Sequence, residues 1–124
     1  MLHKTLLIAA ILALLTAAAP AFAQKTGPNG GMIGGTGGHQ AELVVSDTGL
    51  AVYLLDHGKP HSSKGVVLRA VVQEGGKTTT INFVDEKGER LVAKLAAPLG
   101  KGAVVVLAGK DDHGDQINAR YVIK

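Results

Sequence analysis

Five residues in the first half of the chain have the types and spacing to hold a metal ion: His39, Glu42, Asp56, His57 and His61. Neutral imidazole combined with carboxylate suits zinc, copper(II) or nickel. Copper(I) prefers thiolate or thioether groups, and this chain has no cysteine and only two methionines. A histidine donating to Asp56 would also be an ordinary way of orienting a ligand. The competing reading is a polar strand end, because Asp56-His57-Gly58-Lys59-Pro60 is also a normal turn composition. A second group, Asp111-Asp112-His113-Gly114-Asp115, offers oxygen ligands of the kind calcium takes. It lacks the alternation and distal glutamate of an EF-hand, so a solvated hairpin loop is the better expectation. Catalytic readings fail one by one. Ser62 and Ser63 adjoin His61 in sequence, but no G-x-S-x-G elbow is present. The glycine-rich run lacks the Gly-Lys-Ser/Thr ending of a phosphate loop. The chain is therefore expected not to be an enzyme.

Elements that would bring these residues together are legible as strands. After Gly38 the hydrophobic pattern has period two, interrupted by turn residues, with no amphipathic helix. Seven strands are expected, at 39–45, 50–56, 66–73, 78–85, 89–95, 102–108 and 116–123. Taking Ser46-Asp47-Thr48-Gly49 as a turn sets Val45 against Leu50, Leu43 against Val52 and Ala41 against Leu54. Continued to its open end, this register places His39 across from Asp56, while parity puts Glu42 on the other face. A Gly75-Gly76 turn opposes Val72 to Thr79, Ala70 to Ile81 and Leu68 to Phe83. A Glu86-Lys87-Gly88 loop sets Phe83 against Leu91 and Ile81 against Ala93. The expected core is Leu43, Val52, Leu68, Ile81, Phe83, Leu91 and Tyr121. The fold class that follows is all-β: a small antiparallel two-sheet sandwich of immunoglobulin-like type.

Residues 1–23 read as an export signal, with His3 and Lys4, an apolar run from Leu6 to Leu15 and the cleavage motif Ala21-Phe22-Ala23. That apolar run is short for a membrane span, which needs ~20 residues. The expected product is a soluble periplasmic protein, not inserted in the membrane after cleavage. Its organisation would be a leader at 24–38, in which seven of the twelve residues from Gly27 to Gly38 are glycine, and a single domain at 39–124. Glycine loses the most backbone entropy on ordering, so this leader is either flexible or packed closely by its backbone. Met32 and Ile33 are its apolar handles. Without Lys4 the 13 basic residues become 12 against 10 acidic ones, a charge of +2. So even a balance, with Tyr53, Phe83 and Tyr121 the only aromatic rings beyond the signal, excludes a nucleic-acid footprint.

Residues 27–61, GPNGGMIGGTGGHQAELVVSDTGLAVYLLDHGKPH, resemble a segment in periplasmic adaptor proteins of heavy-metal efflux pumps. There a G-P-x-G-G leader runs through a His-x-x-E-L-V strand to an L-Y-L-x-D-x-G-K-P strand and turn. Closer still is the resemblance to small exported proteins built from that unit and a β-sandwich. It implies a stand-alone periplasmic β domain related to metal resistance, with His39, Glu42, Asp56 and His57 on the motif. Two functions stay open. One is an accessory protein that binds or buffers a divalent transition metal. The other is a metal-free module docking on an envelope or efflux-system protein through a sheet edge or the leader. Apolar residues at the outer-facing positions Tyr53, Leu55, Val67 and Val71 favour the second.

Overall fold

A computed structural model describes residues 24–124, and the expected export signal lies outside the described residues. Ten strands form two antiparallel sheets, and no described residue is helical. The strands are β1 (Met32–Thr36), β2 (His39–Val45), β3 (Gly49–Asp56), β4 (Lys59–His61), β5 (Val67–Glu74), β6 (Lys77–Asn82), β7 (Val84–Glu86), β8 (Arg90–Lys94), β9 (Val104–Lys110) and β10 (Gln116–Val122). The first sheet runs β1-β2-β3-β8-β7, with β4 pairing the end of β3; the second runs β10-β9-β5-β6. Among the described residues no helix is long and apolar enough to cross a membrane.

Alternation gives the longer strands β3, β5, β9 and β10 one apolar face. Ala41, Leu43, Leu50, Val52, Leu54 and Leu91 of the first sheet meet Leu68, Ala70, Val72, Val105, Leu107 and Tyr121 of the second in one buried cluster. Leu43, Val52, Leu68, Leu91 and Tyr121 are buried as the pattern predicts. Ile81 and Phe83 are only partly buried.

The expected count of seven strands is corrected by three features. The leader contributes β1, which pairs with β2 from Met32 opposite Leu43 to Thr36 opposite His39. The leader is thus a strand of the first sheet rather than a separate segment. A short β4 follows the His57-Gly58 turn. Finally, the expected strand 78–85 breaks at Phe83, whose N–H donates to the Leu68 carbonyl at 3.0 Å. Beyond it the chain leaves β5 and joins β8 in the other sheet. Ile81 and Ala93 therefore belong to different sheets, and Leu91 pairs with Asp85 instead of Phe83. The connecting loop is displaced by one residue from the expected one: Glu86 pairs with Arg90, Lys87 and Gly88 both adopt positive φ, 56° and 68°, and Glu89 N–H donates to Glu86 O. Asp85 holds that turn, accepting from Gly88 N–H at 3.1 Å and from the buried Ser63 hydroxyl.

Two glycines of the leader are required by close approach. A Cβ on Gly27 would stand 2.3 Å from the Glu42 carboxyl carbon, and one on Gly34 would stand 2.9 Å from the Tyr121 ring. Tyr121 crosses from the second sheet beneath β1 and donates its hydroxyl to the Ala41 carbonyl at 2.6 Å. Burial pushes the pKa of that phenol up, with the charge of Glu42 adding to the shift.

Candidate functional site

The β2–β3 hairpin places the first two candidates. Ser46 fixes the turn by accepting from Gly49 N–H at 3.2 Å through its hydroxyl and donating its own N–H to Gly49 O. The ladder from there runs without a slip to His39 opposite Asp56. β3 then turns sharply at His57 and Gly58, both left-handed with φ of 49° and 79°. Histidine is among the side chains that tolerate this region. The turn returns the chain as β4, setting Lys59 opposite Asp56 and His61 opposite Leu54.

The Asp56 carboxylate sits 2.7 Å from His57 Nδ1. This hydrogen bond holds the Asp56 carboxyl below the usual carboxylate range, and the charges of His57, His39 and His61 push the same way. The hairpin register places His39 across from Asp56, as the sequence predicts. The His57 N–H donates to Gly38 O at 2.8 Å, and its ring covers the Gly38 backbone so closely that a Cβ there would clash.

Ligand geometry divides these residues differently from the sequence expectation. His61 falls into a group with Asp112 and His113, and His39 into a group with Asp111 and Asp115. Within each group the ligand atoms lie within 4.8 Å of one another. Asp56 and His57 are hydrogen-bonded to each other and belong to neither group. The additional residues come from the loop between β9 and β10. The loop is largely exposed, but it lies against the histidine end of the molecule. Its shape is set by Asp111, whose Oδ1 accepts from His113 N–H at 2.9 Å and Asp115 N–H at 2.8 Å. The His61 and His113 rings meet edge to face with centroids 6.3 Å apart.

Tautomers follow from the hydrogen bonds. His61 Nδ1 lies 2.8 Å from the Ser62 carbonyl, which can only accept, so Nδ1 carries the proton and Nε2 keeps the lone pair. His113 Nδ1 lies 3.1 Å from Asp112 Oδ1, which favours the same tautomer. A narrow crevice of about 20 Å³ opens between His39, His61 and Asp111 over Leu54, Leu55 and Ile117. That is room for a single water-sized sphere.

Glu42 is elsewhere. It is completely buried on the opposite face of β2. Its carboxylate accepts from Asn29 N–H at 2.9 Å, Asn29 Nδ2 at 3.0 Å and Gly31 N–H at 2.8 Å, fastening the leader across the sheet. These bonds leave it as an anchor for the leader, away from the histidines. Outer-face apolar positions are partly covered as well: Leu55 is buried, opposite Pro60 of β4, whereas Val67 is 76% exposed.

Sequence reasoning missed Asp112 and His113 as neighbours of His61. The signal that could find them is strand direction. The chain leaves the first sheet at the His61 end and starts β5 there, and β9 runs antiparallel to β5 with Lys110 opposite Val67. The β9–β10 loop must therefore emerge at that same end. No protein-family model, curated protein or solved structure matches the chain.

Proposed function

We propose that this protein is a non-catalytic accessory protein of the bacterial periplasm that binds or buffers a divalent transition metal of the copper(II), zinc or nickel class in metal homeostasis or resistance. The observation that carries this reading is the approach of His61, Asp112 and His113, with ligand atoms within 4.8 Å, from strand β4 of one sheet and the β9–β10 loop of the other. Two imidazoles and one carboxylate match the donor preferences of these ions and leave a coordination position for water or a further ligand. His39 and the Asp56 carboxylate opposite it supply additional donors at this end of the molecule. The export signal supports the compartment. The strand order supports an immunoglobulin-like sandwich: β2-β3-β8-β7 against β10-β9-β5-β6 follows the A-B-E-D and G-F-C-C′ arrangement of that fold.

Calorimetric titration of the tag-free protein with zinc and copper(II) tests the reading. Binding should raise the melting temperature, because only the folded chain brings β4 and the β9–β10 loop together. It should weaken as pH falls through ~6.5, where histidine takes up its proton. His61→Ala and His113→Ala should each remove most of the copper(II) affinity. A flat titration at neutral pH with an unmoved melt refutes it. The metal-free docking module then stands, favoured by the 76% and 67% exposure of Val67 and Val84 and by β6 as the terminal strand of its sheet.

A further inference from the structure

We infer that this end of the molecule holds two cations rather than one, with His39, Asp111 and Asp115 forming a second site beside the His61, Asp112 and His113 site. The inference rests on reading this end as a metal centre. The two ligand sets share no residue, and each brings its ligand atoms within 4.8 Å. They also have separate structural supports. His39 is fixed by the β2–β3 register, opposite Asp56. Asp111 and Asp115 are fixed to each other, Asp111 N–H donating to Asp115 O at 2.9 Å and Asp115 N–H to Asp111 Oδ1 at 2.8 Å. Neither support involves His61 or His113 side chains. Because Asp111 Oδ1 already takes two backbone donors, Oδ2 is the oxygen left to coordinate.

The crevice lined by His39, Asp111 and His61 has the volume for one ion or water over Leu54, Leu55 and Ile117; Asp115 lies outside its lining and would close the second site from the exposed side of the loop. The donor sets differ in character. One imidazole with two carboxylates is harder than two imidazoles with one carboxylate. The His39 site should therefore accept zinc and also manganese(II), while copper(II) and nickel prefer the His61 site. Asp111 and Asp112 are adjacent, so one loop closes both sites.

Zinc titration of the tag-free full-length product as recovered from the exporting cell should give a stoichiometry of two per chain. His39→Ala and Asp115→Asn should each lower it to one, and His61→Ala should lower it to one by removing the other ion. Manganese(II) should bind the wild type and His61→Ala but not His39→Ala. Asp115→Asn keeps side-chain volume, so it decides the matter if His39→Ala fails to fold by circular dichroism. A wild-type stoichiometry of one that His39→Ala and Asp115→Asn leave unchanged overturns the second site and leaves the His61 centre intact. Loss of all zinc in either variant overturns it in favour of one shared ion. Absence of zinc binding in the wild type overturns the metal reading itself.

Discussion

Glu42 gives the sharpest test of how the leader is held, because its carboxylate is fully buried and fully engaged. Glu42→Ala removes the acceptor for Asn29 N–H, Asn29 Nδ2 and Gly31 N–H at one stroke. A hydrogen bond to a charged group contributes about 1.5–3 kcal/mol, and a buried donor left without a partner costs about 1–3 kcal/mol. These terms overlap, so over the three neutral donors left without an acceptor the expected loss is about 3–5 kcal/mol. Glu42→Gln keeps one acceptor oxygen but turns an NH₂ toward a donor, so about 1.5–3 kcal/mol should be lost. Urea unfolding at pH 7 measures both variants. Native-state hydrogen exchange should show the amides of Asn29 and Gly31 losing protection before the strands of the core do. Zinc affinity of Glu42→Gln should stay at the wild-type value, since Glu42 faces away from the histidines. A loss below ~1 kcal/mol in Glu42→Ala, with both amides still protected, would refute the reasoning. So would a Glu42→Gln variant that folds and no longer binds zinc.

His57→Ala should raise the Asp56 pKa back toward the usual carboxylate range, as followed by NMR of its side-chain carbonyl across a pH titration. The sign is set by the native value lying below the unfolded one: the stabilisation is present above the unfolded carboxylate range and disappears as pH falls through the native value. An Asp56 titration unmoved by His57→Ala would contradict the hydrogen bond. Leu43→Ala, at a site with no exposure, should cost on the order of 2–5 kcal/mol by denaturant unfolding. Phe83→Ala, at the partly buried point where the chain changes sheets, should cost less, about 1–3 kcal/mol. The reverse order would show that the sheet switch, rather than the inner face of β2, is the centre of the core.

Local patterning in the sequence determined the strands and their faces. Alternation of apolar and polar residues requires that Leu43, Val52, Leu68 and Leu91 point inward, and the Ser46–Gly49 turn leaves one register that keeps the β2–β3 faces consistent. The pairing of His39 with Asp56 follows from that register alone. Three features depended on contacts between residues distant in sequence. Strand β1 exists because buried Glu42 and Tyr121 hold a glycine-rich backbone that has no apolar alternation of its own. The break at Phe83 has no marker in the local pattern, since a run of strand residues reads the same whether it stays in one sheet or crosses to another. The division of the histidines between two ligand groups needs the β9–β10 loop beside them, and that follows from strand direction accumulated over both sheets. Hydrophobic periodicity fixes which way a side chain faces, but the ends of strands meet only through the topology. Ligands carried on the strand ends of one sheet and a loop of the other are therefore set by the tertiary structure.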